Sequence, residues 1–317
     1  MKLLIKPGKT RNIISTIAIG KTYYEKWEKN AFPTWEKYCN HHDLGLVVFD
    51  KDMVLEESLF WKKRQWQKLL IGCELKKYKL DVNNVCYLDT DILINYKAPN
   101  VFDHYKEGTI GLVSQKHNLP YPLDLVLRSI AYHRHFCYDK KYPLDSALFM
   151  SLKQIYEYHG MPVQKDYACT GFYIFNAKEH SQLMKEWFYK YDSQVESITG
   201  GGEEAHVNFE LQTWGNITWL DYRFQALWMY EMAWKYPFLY DYGRYNNELI
   251  KECVEASLFT NYFLHFAGPW YESDMWKVGN VLESVKSQET FEGFSAYLKT
   301  EVTGKPKGQI KPKTLPR

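Results

Sequence analysis

The chain has 317 residues, of which 45% are hydrophobic and 25% charged, and a formal net charge of +2. That length fits one large α/β domain or two smaller ones, and the near-neutral balance gives no argument for nucleic acid or an anionic membrane as a partner. No run of 18 apolar residues occurs, so no transmembrane segment is expected, and the basic first residues lack the apolar core of a secretory signal.

The six cysteines are scattered and form no CxxC pair. This suits reduced thiols in the cytoplasm better than a disulfide framework or a zinc site. Aromatic residues reach 17%, with 11 Trp and 26 Tyr. Sugars pack against aromatic faces, but large aromatic cores also exist without ligands.

In chain order, residues 13–19 form a β-branched run that stops at Gly20 and predicts a first strand. Trp27, Ala31, Trp35 and Tyr38 have helical spacing over residues 23–38, with Pro33 expected to break or kink the helix. Residues 46–49 predict a second strand. Residues 60–80 predict a long helix whose buried face carries Trp66, Leu69, Leu70 and Cys73. A turn over residues 81–84 leads into a third strand. This alternation implies right-handed crossovers and a mainly parallel sheet flanked by helices.

Further strands are predicted over residues 109–114, 168–176, 217–220 and 262–266, and helices over 181–195 and 203–212, the second following Gly200-Gly201-Gly202. Residues 118–160 are rich in Tyr, His and Pro, with helical stretches near 125–133 and 146–158. Residues 222–245 are aromatic-rich without a clear pattern. A helix over 291–300 and a basic, disordered tail over 301–317 complete the expectation.

Val85-Cys86-Tyr87-Leu88-Asp89-Thr90-Asp91-Ile92-Leu93-Ile94 is the most informative stretch. It reads as a buried strand that ends on two carboxylates one residue apart. An unpaired carboxylate is costly to desolvate, so two at a strand end ask for a cation. In open α/β sheets the carboxyl ends of strands are also where ligands bind. An acidic turn leaving the sheet toward solvent is the plainer alternative.

Four more segments join it in order: Gln67-Lys68-Leu69-Leu70, Thr170-Gly171-Phe172-Tyr173-Ile174-Phe175-Asn176, Glu203-Glu204-Ala205-His206-Val207-Asn208 and His265-Phe266-Ala267-Gly268-Pro269-Trp270. Together with Leu88-Asp89-Thr90-Asp91 and Val101-Phe102-Asp103, the set resembles the GT-A glycosyltransferases of the glycogenin-like and bacterial galactosyltransferase-like group, glycosyltransferase family 8. The resemblance spans residues 12–280. It implies one Rossmann-like GT-A domain over residues 1–300, with a nucleotide-sugar-binding half over 12–117 and an acceptor-side half over 118–300. Residues 118–166 would form an aromatic-rich acceptor-side insertion, or else a surface for homo-oligomer formation.

The resemblance further implies transfer of a hexose from a UDP-sugar to a glycan or other hydroxyl acceptor, with retention by front-face displacement. Asp89, Asp91 and His265 would hold Mn²⁺ or Mg²⁺, and Asp89 would also touch the ribose. A divalent cation on the diphosphate stabilises the leaving group, and Mn²⁺ accepts imidazole as well as oxygen. Gly171 and Gly268 would lie against the donor.

Each of these residues also has a plainer reading. His265 on an apolar strand can be a packed core histidine. Lys68 can neutralise diphosphate, or lie in solvent, since its helical phase turns it from the Trp66 face. Glu203 or Glu204 can touch the donor sugar or orient the acceptor, yet acids are favoured at a helix start in any case, and Glu-Glu stands where the family has Asp-Gln. Tyr23 or Tyr24 can stack on uracil or simply pack. His133, Arg134 and His135 read as surface or acceptor-side residues, without the partners a metal site needs.

Two other classes compete. A haloacid-dehalogenase-like phosphatase also carries D-x-D at a strand end, but on its first strand and followed by Gly-Thr, where this chain has Ile92-Leu93. A non-catalytic carbohydrate-binding or scaffold protein would have less reason to keep all three metal ligands.

Overall fold

The structure is a computed structural model that describes residues 1–136, 149–200, 202–240, 246–273 and 275–277. The expected helix over 291–300 and the tail over 301–317 lie outside the described residues, as does the start of the stretch over 146–158.

Strand β1 (Lys2–Ile5) lies at the sheet edge, antiparallel to β3 (Gly45–Phe49). It has no counterpart in the sequence expectation. The apolar runs β2 (Ile13–Ile17), β3 and β4 (Asn84–Leu88) pair in parallel, with β2 in the middle. Both β2 and β3 are buried along their whole length, as strands covered by helices on both faces must be.

With β6 (Ile110–Leu112), β7 (Phe172–Asn176) and β8 (Ile217–Trp219), these strands form a seven-stranded sheet in the order β1-β3-β2-β4-β7-β6-β8. Strands β2, β3, β4, β6 and β8 run one way, while β1 and β7 oppose them. The mainly parallel α/β class is therefore the observed one.

A second, three-stranded sheet consists of β5 (Ile92–Ile94), β10 (Phe263–His265) and β9 (Ala226–Leu227), in the order β5-β10-β9. Strand β10 is antiparallel to β5, with His265 opposite Ile92, and parallel to β9, with His265 opposite Leu227. The expected last strand thus belongs to this small sheet and not to the large one.

Two helices differ instructively from expectation. Pro33 does not kink one helix; it sits in the first turn of a second (Phe32–His41) after the first (Lys21–Asn30) has ended. Its missing N–H costs nothing there. The expected helix over 60–80 begins at Arg64 and is interrupted by a 3₁₀ turn, Lys68–Leu70, before continuing as Ile71–Lys77. That turn changes the helical phase and carries Lys68 inward.

The unpatterned stretch after residue 222 folds as a 3₁₀ turn (Tyr222–Gln225), β9 and a helix (Trp228–Lys235). It is followed by a helix, Asn247–Thr260, capped by Asn246 and buried through Ile250, Cys253, Val254, Ser257 and Leu258. No helix among the described residues is long and apolar enough to cross a membrane.

Candidate metal and donor site

Strand β4 delivers Asp89 and Asp91 to the carboxyl edge of the large sheet, and the turn at Thr90 passes the chain to β5 of the small one. Pairing of β10 with β5 then brings His265 alongside, and Phe266 N donates to Asp91 O at 3.1 Å. His265 Nε2 lies 3.3 Å from Asp91 Oδ1 and 3.9 Å from Asp89 Oδ2. One ligand atom from each residue falls within 4.8 Å of the others; no second such cluster of three occurs among the described residues.

Asp91 and His265 are buried, whereas the Asp89 side chain is 38% exposed and faces a cavity. Tyr87 OH donates to Asp89 Oδ1 at 2.6 Å, and Asp89 N donates to Gly171 O at 2.8 Å. Burial raises the Asp91 carboxyl above its usual range despite the imidazole beside it, and the charge of Asp89 adds to the shift. Burial also works against a charge on His265, but Cys169 and the Asp91 carboxylate outweigh it and raise its pKa well above the ordinary value. Two carboxylates and an imidazole so close together suit an oxygen- and nitrogen-binding divalent cation.

Gly171 explains how the three groups can converge. A Cβ at that position would stand 2.6 Å from Asp89 Oδ2 and would also run into the His265 ring. Only a residue without a side chain lets β7 begin so close to the cluster.

The carboxylates form one wall of a cavity of about 290 Å³ that also touches Tyr23, Arg64, Gly268 and Tyr271. Tyr23 and Tyr271 stack with centroids 5.2 Å apart and planes 24° apart, and the Arg64 guanidinium lies 3.4 Å from the Tyr23 ring centre. Gly268 turns the chain here at φ +64, a conformation that favours glycine. Tyr24 meets Trp27 edge-on, carries Lys2 over its ring at 4.0 Å and does not line this cavity.

Lys68 is neither solvated nor on the cavity wall. It is 2% exposed, and its Nζ donates to Thr170 O at 2.6 Å and pairs with Glu203 Oε1 at 2.5 Å. Thr170 Oγ1 donates to the same Glu203 oxygen. Burial opposes the charge on Lys68, but Glu203 and Asp89 outweigh it and raise its pKa. Lys68 and Glu203 therefore sit behind the Thr170-Gly171 backbone that supports the cluster.

Glu204 points elsewhere. Its Oε1 accepts from Gln115 Nε2 at 2.9 Å, and it lines a second cavity of about 240 Å³ with His159, Tyr167, Cys169 and Met229. Both cavities touch Gly268. His133 lines neither; it stacks on Tyr240 at 4.9 Å.

Arg64, Tyr271, Cys169 and Gln225 are the site residues that the sequence did not single out. Arg64 is one of three consecutive basic residues and has no distinguishing spacing, and the other three gain meaning only from the small sheet and the loops beside it.

No protein-family model matches the chain, and no curated protein matches it in sequence. Among solved structures the chain is similar to a glycosyltransferase involved in the glycosylation of the major capsid of PBCV-1, with 10% identity and a TM-score of 0.41 over 83% of this chain and 97% of that one. It is also similar to an active-site Gln→Glu mutant of LgtC, with 14% identity and a TM-score of 0.45 over 90% of this chain and 95% of that one. Both scores are below 0.5, so the assignment below rests on the residues of this chain.

Proposed function

We propose that this protein is a metal-dependent glycosyltransferase that moves a hexose from a UDP-sugar to a hydroxyl of a glycan. The observation that carries the reading is the cluster of Asp89, Asp91 and His265, whose two carboxylates line a cavity that also holds an aromatic face and a guanidinium. A phosphatase of the haloacid-dehalogenase type would have no use for the imidazole from β10 or for the paired tyrosine rings.

In this reading Asp89, Asp91 and His265 would hold Mn²⁺ or Mg²⁺, which would supply positive charge to stabilise the diphosphate leaving group. Tyr23, backed by Tyr271, offers to the uracil the ring face that the Arg64 guanidinium covers, which requires Arg64 to swing off the ring toward the diphosphate. Arg64 brings a permanent cation to the same cavity, where diphosphate can accept its fork of N–H groups. Gly268, on the cavity wall, leaves room for the donor, Gly171 leaves room for the converging Asp89 and His265, and Lys68 and Glu203 keep the Thr170-Gly171 backbone in place.

We assign the acceptor to the second cavity. Its wall comes partly from the 118–166 insertion through His159, and it shares Gly268 with the donor cavity. Glu204, held by Gln115, is the group that orients the acceptor hydroxyl. Retention of configuration is proposed on the family resemblance, and a cytoplasmic location on the buried thiols of Cys39, Cys86 and Cys169.

The test is hydrolysis or transfer with a panel of UDP-sugars, with and without Mn²⁺, beside direct titration of UDP and Mn²⁺. Metal-dependent turnover that disappears in Asp91→Asn, with the melting temperature retained, is expected. A wild-type chain that binds neither UDP nor Mn²⁺ would sink the reading.

A further inference from the structure

The side of His265 away from the carboxylates carries information that the metal reading does not use. Its Nδ1 faces two groups, Gln225 Nε2 at 3.2 Å and Cys169 Sγ at 3.6 Å. Gln225 is 1% exposed, and its Oε1 is buried with no hydrogen-bond partner. A buried amide oxygen without a partner costs free energy, so its presence calls for a reason.

A histidine that offers Nε2 to a cation must carry its proton on Nδ1, and that N–H needs an acceptor. A thiol is a weak acceptor, and the glutamine carbonyl is a strong one. Half a turn of the Gln225 amide exchanges Nε2 for Oε1 at the same position, which satisfies the orphan oxygen and the Nδ1–H together. The oxygen and nitrogen of an amide differ little in shape, so the same packing admits either orientation. Gln225 is also well anchored, because it closes the 3₁₀ turn Tyr222–Gln225 and leads directly into β9, which pairs with β10 beside His265.

We propose that Gln225 is the positioning residue of this site: its side-chain carbonyl accepts the Nδ1–H of His265, fixes the tautomer and aims the Nε2 lone pair between Asp89 and Asp91. The inference rests on the metal reading above. Gln225 touches neither donor nor cation; it acts through the imidazole.

The experiment is Mn²⁺ titration of the full chain, read by electron paramagnetic resonance, for wild type, Gln225→Met and Gln225→Glu. Gln225→Met keeps the length and removes the acceptor, and its Mn²⁺ affinity should fall about 10- to 100-fold. Gln225→Glu keeps an acceptor and should bind at least as tightly as wild type. A merely structural role gives the opposite order, since a buried carboxylate disturbs packing more than a thioether. Wild-type affinity in Gln225→Met, or an equal loss in both variants, would overturn the proposal.

A measurement on the unaltered chain guards against variants that fail to fold. In the Mg²⁺-saturated protein, ¹⁵N spectra should show His265 protonated on Nδ1 and bare on Nε2. An Nε2–H in that state overturns the proposal. A wild-type chain that binds no divalent cation overturns it together with the metal reading, whereas normal binding with an indifferent Gln225 removes only the role assigned here.

Discussion

Lys68 Nζ and Glu203 Oε1 lie 2.5 Å apart, with 2% and 5% of their side-chain surfaces exposed. Both come from segments that the family resemblance ties to the donor, yet each spends its charge on the other. Removing one member of a buried pair leaves the other charge stranded, at a cost of about 3–5 kcal/mol, whereas replacing both with apolar groups is often close to neutral. Lys68→Met and Glu203→Leu should each lower stability by about that amount in urea denaturation, and the double variant should recover most of the loss. Additive losses would show that the two side chains do not act as a pair.

Gly171 gives a prediction at the metal cluster itself. Gly171→Ala adds a Cβ 2.6 Å from Asp89 Oδ2 and against the His265 ring. Either Asp89 or the imidazole must move, and both are proposed ligands. Mn²⁺ affinity should drop by at least about tenfold, comparable to the loss of a group that orients a ligand, with circular dichroism unchanged. An alanine variant with native Mn²⁺ affinity would mean that the cluster tolerates spreading and is not the cation site.

The stacked Tyr23–Tyr271 pair and the guanidinium of Arg64 predict a separable effect on nucleotide binding. Tyr23→Leu removes the ring, and stacking of a base on an aromatic side chain is worth about 1–3 kcal/mol. UDP affinity in the presence of Mn²⁺ should fall roughly 5- to 150-fold, while Tyr23→Phe should bind like wild type. Mn²⁺ affinity without nucleotide should be unchanged in both. Equal UDP binding by Tyr23→Leu and wild type would return Tyr23 to packing.

The legibility of these features in the sequence follows their range. Asp89 and Asp91 stand out because charge at the end of an apolar strand is a local anomaly, and β2, β3 and β4 are buried runs rich in β-branched and apolar residues. His265 could be tied to them only through the family pattern, because the physical link is the pairing of β10 with β5, which no local period announces. One unbroken helix would turn Lys68 away from the Trp66 face, whereas the 3₁₀ turn Lys68–Leu70 rotates it into the interior, a local break that the helical period does not announce. Strand β1 is a largely exposed edge, with Leu3 at 38%, and carries no buried alternation to read. The helix Asn247–Thr260 is a different case, since Ile250, Val254, Ser257 and Leu258 keep helical spacing behind an Asn cap, and its period was available in the sequence. Gln225 and Arg64 take their meaning from neighbours brought by the fold, so nothing in their own segments marks them.

His206 supplies a prediction about acid stability. It lies in the helix Glu204–Trp214 and is enclosed by the rings of Tyr191 at 4.8 Å, Trp66 at 5.5 Å and His159 at 5.7 Å. Its Nδ1 is buried without a partner. Burial, with His159 adding, lowers its pKa from 6.5 to about 4. The unfolded chain therefore takes up a proton as pH falls through 6.5, while the folded chain resists until about pH 4, so protons favour unfolding throughout that window. The associated loss approaches roughly 3 kcal/mol at the acid end and is absent above pH 7. His206→Phe keeps a ring in the same aromatic enclosure and removes the titration. The stability difference between wild type and His206→Phe, measured by urea denaturation from pH 7 to pH 4.5, should move steadily against wild type as the pH falls. A difference that stays flat over that range would show that His206 is not held neutral by its surroundings.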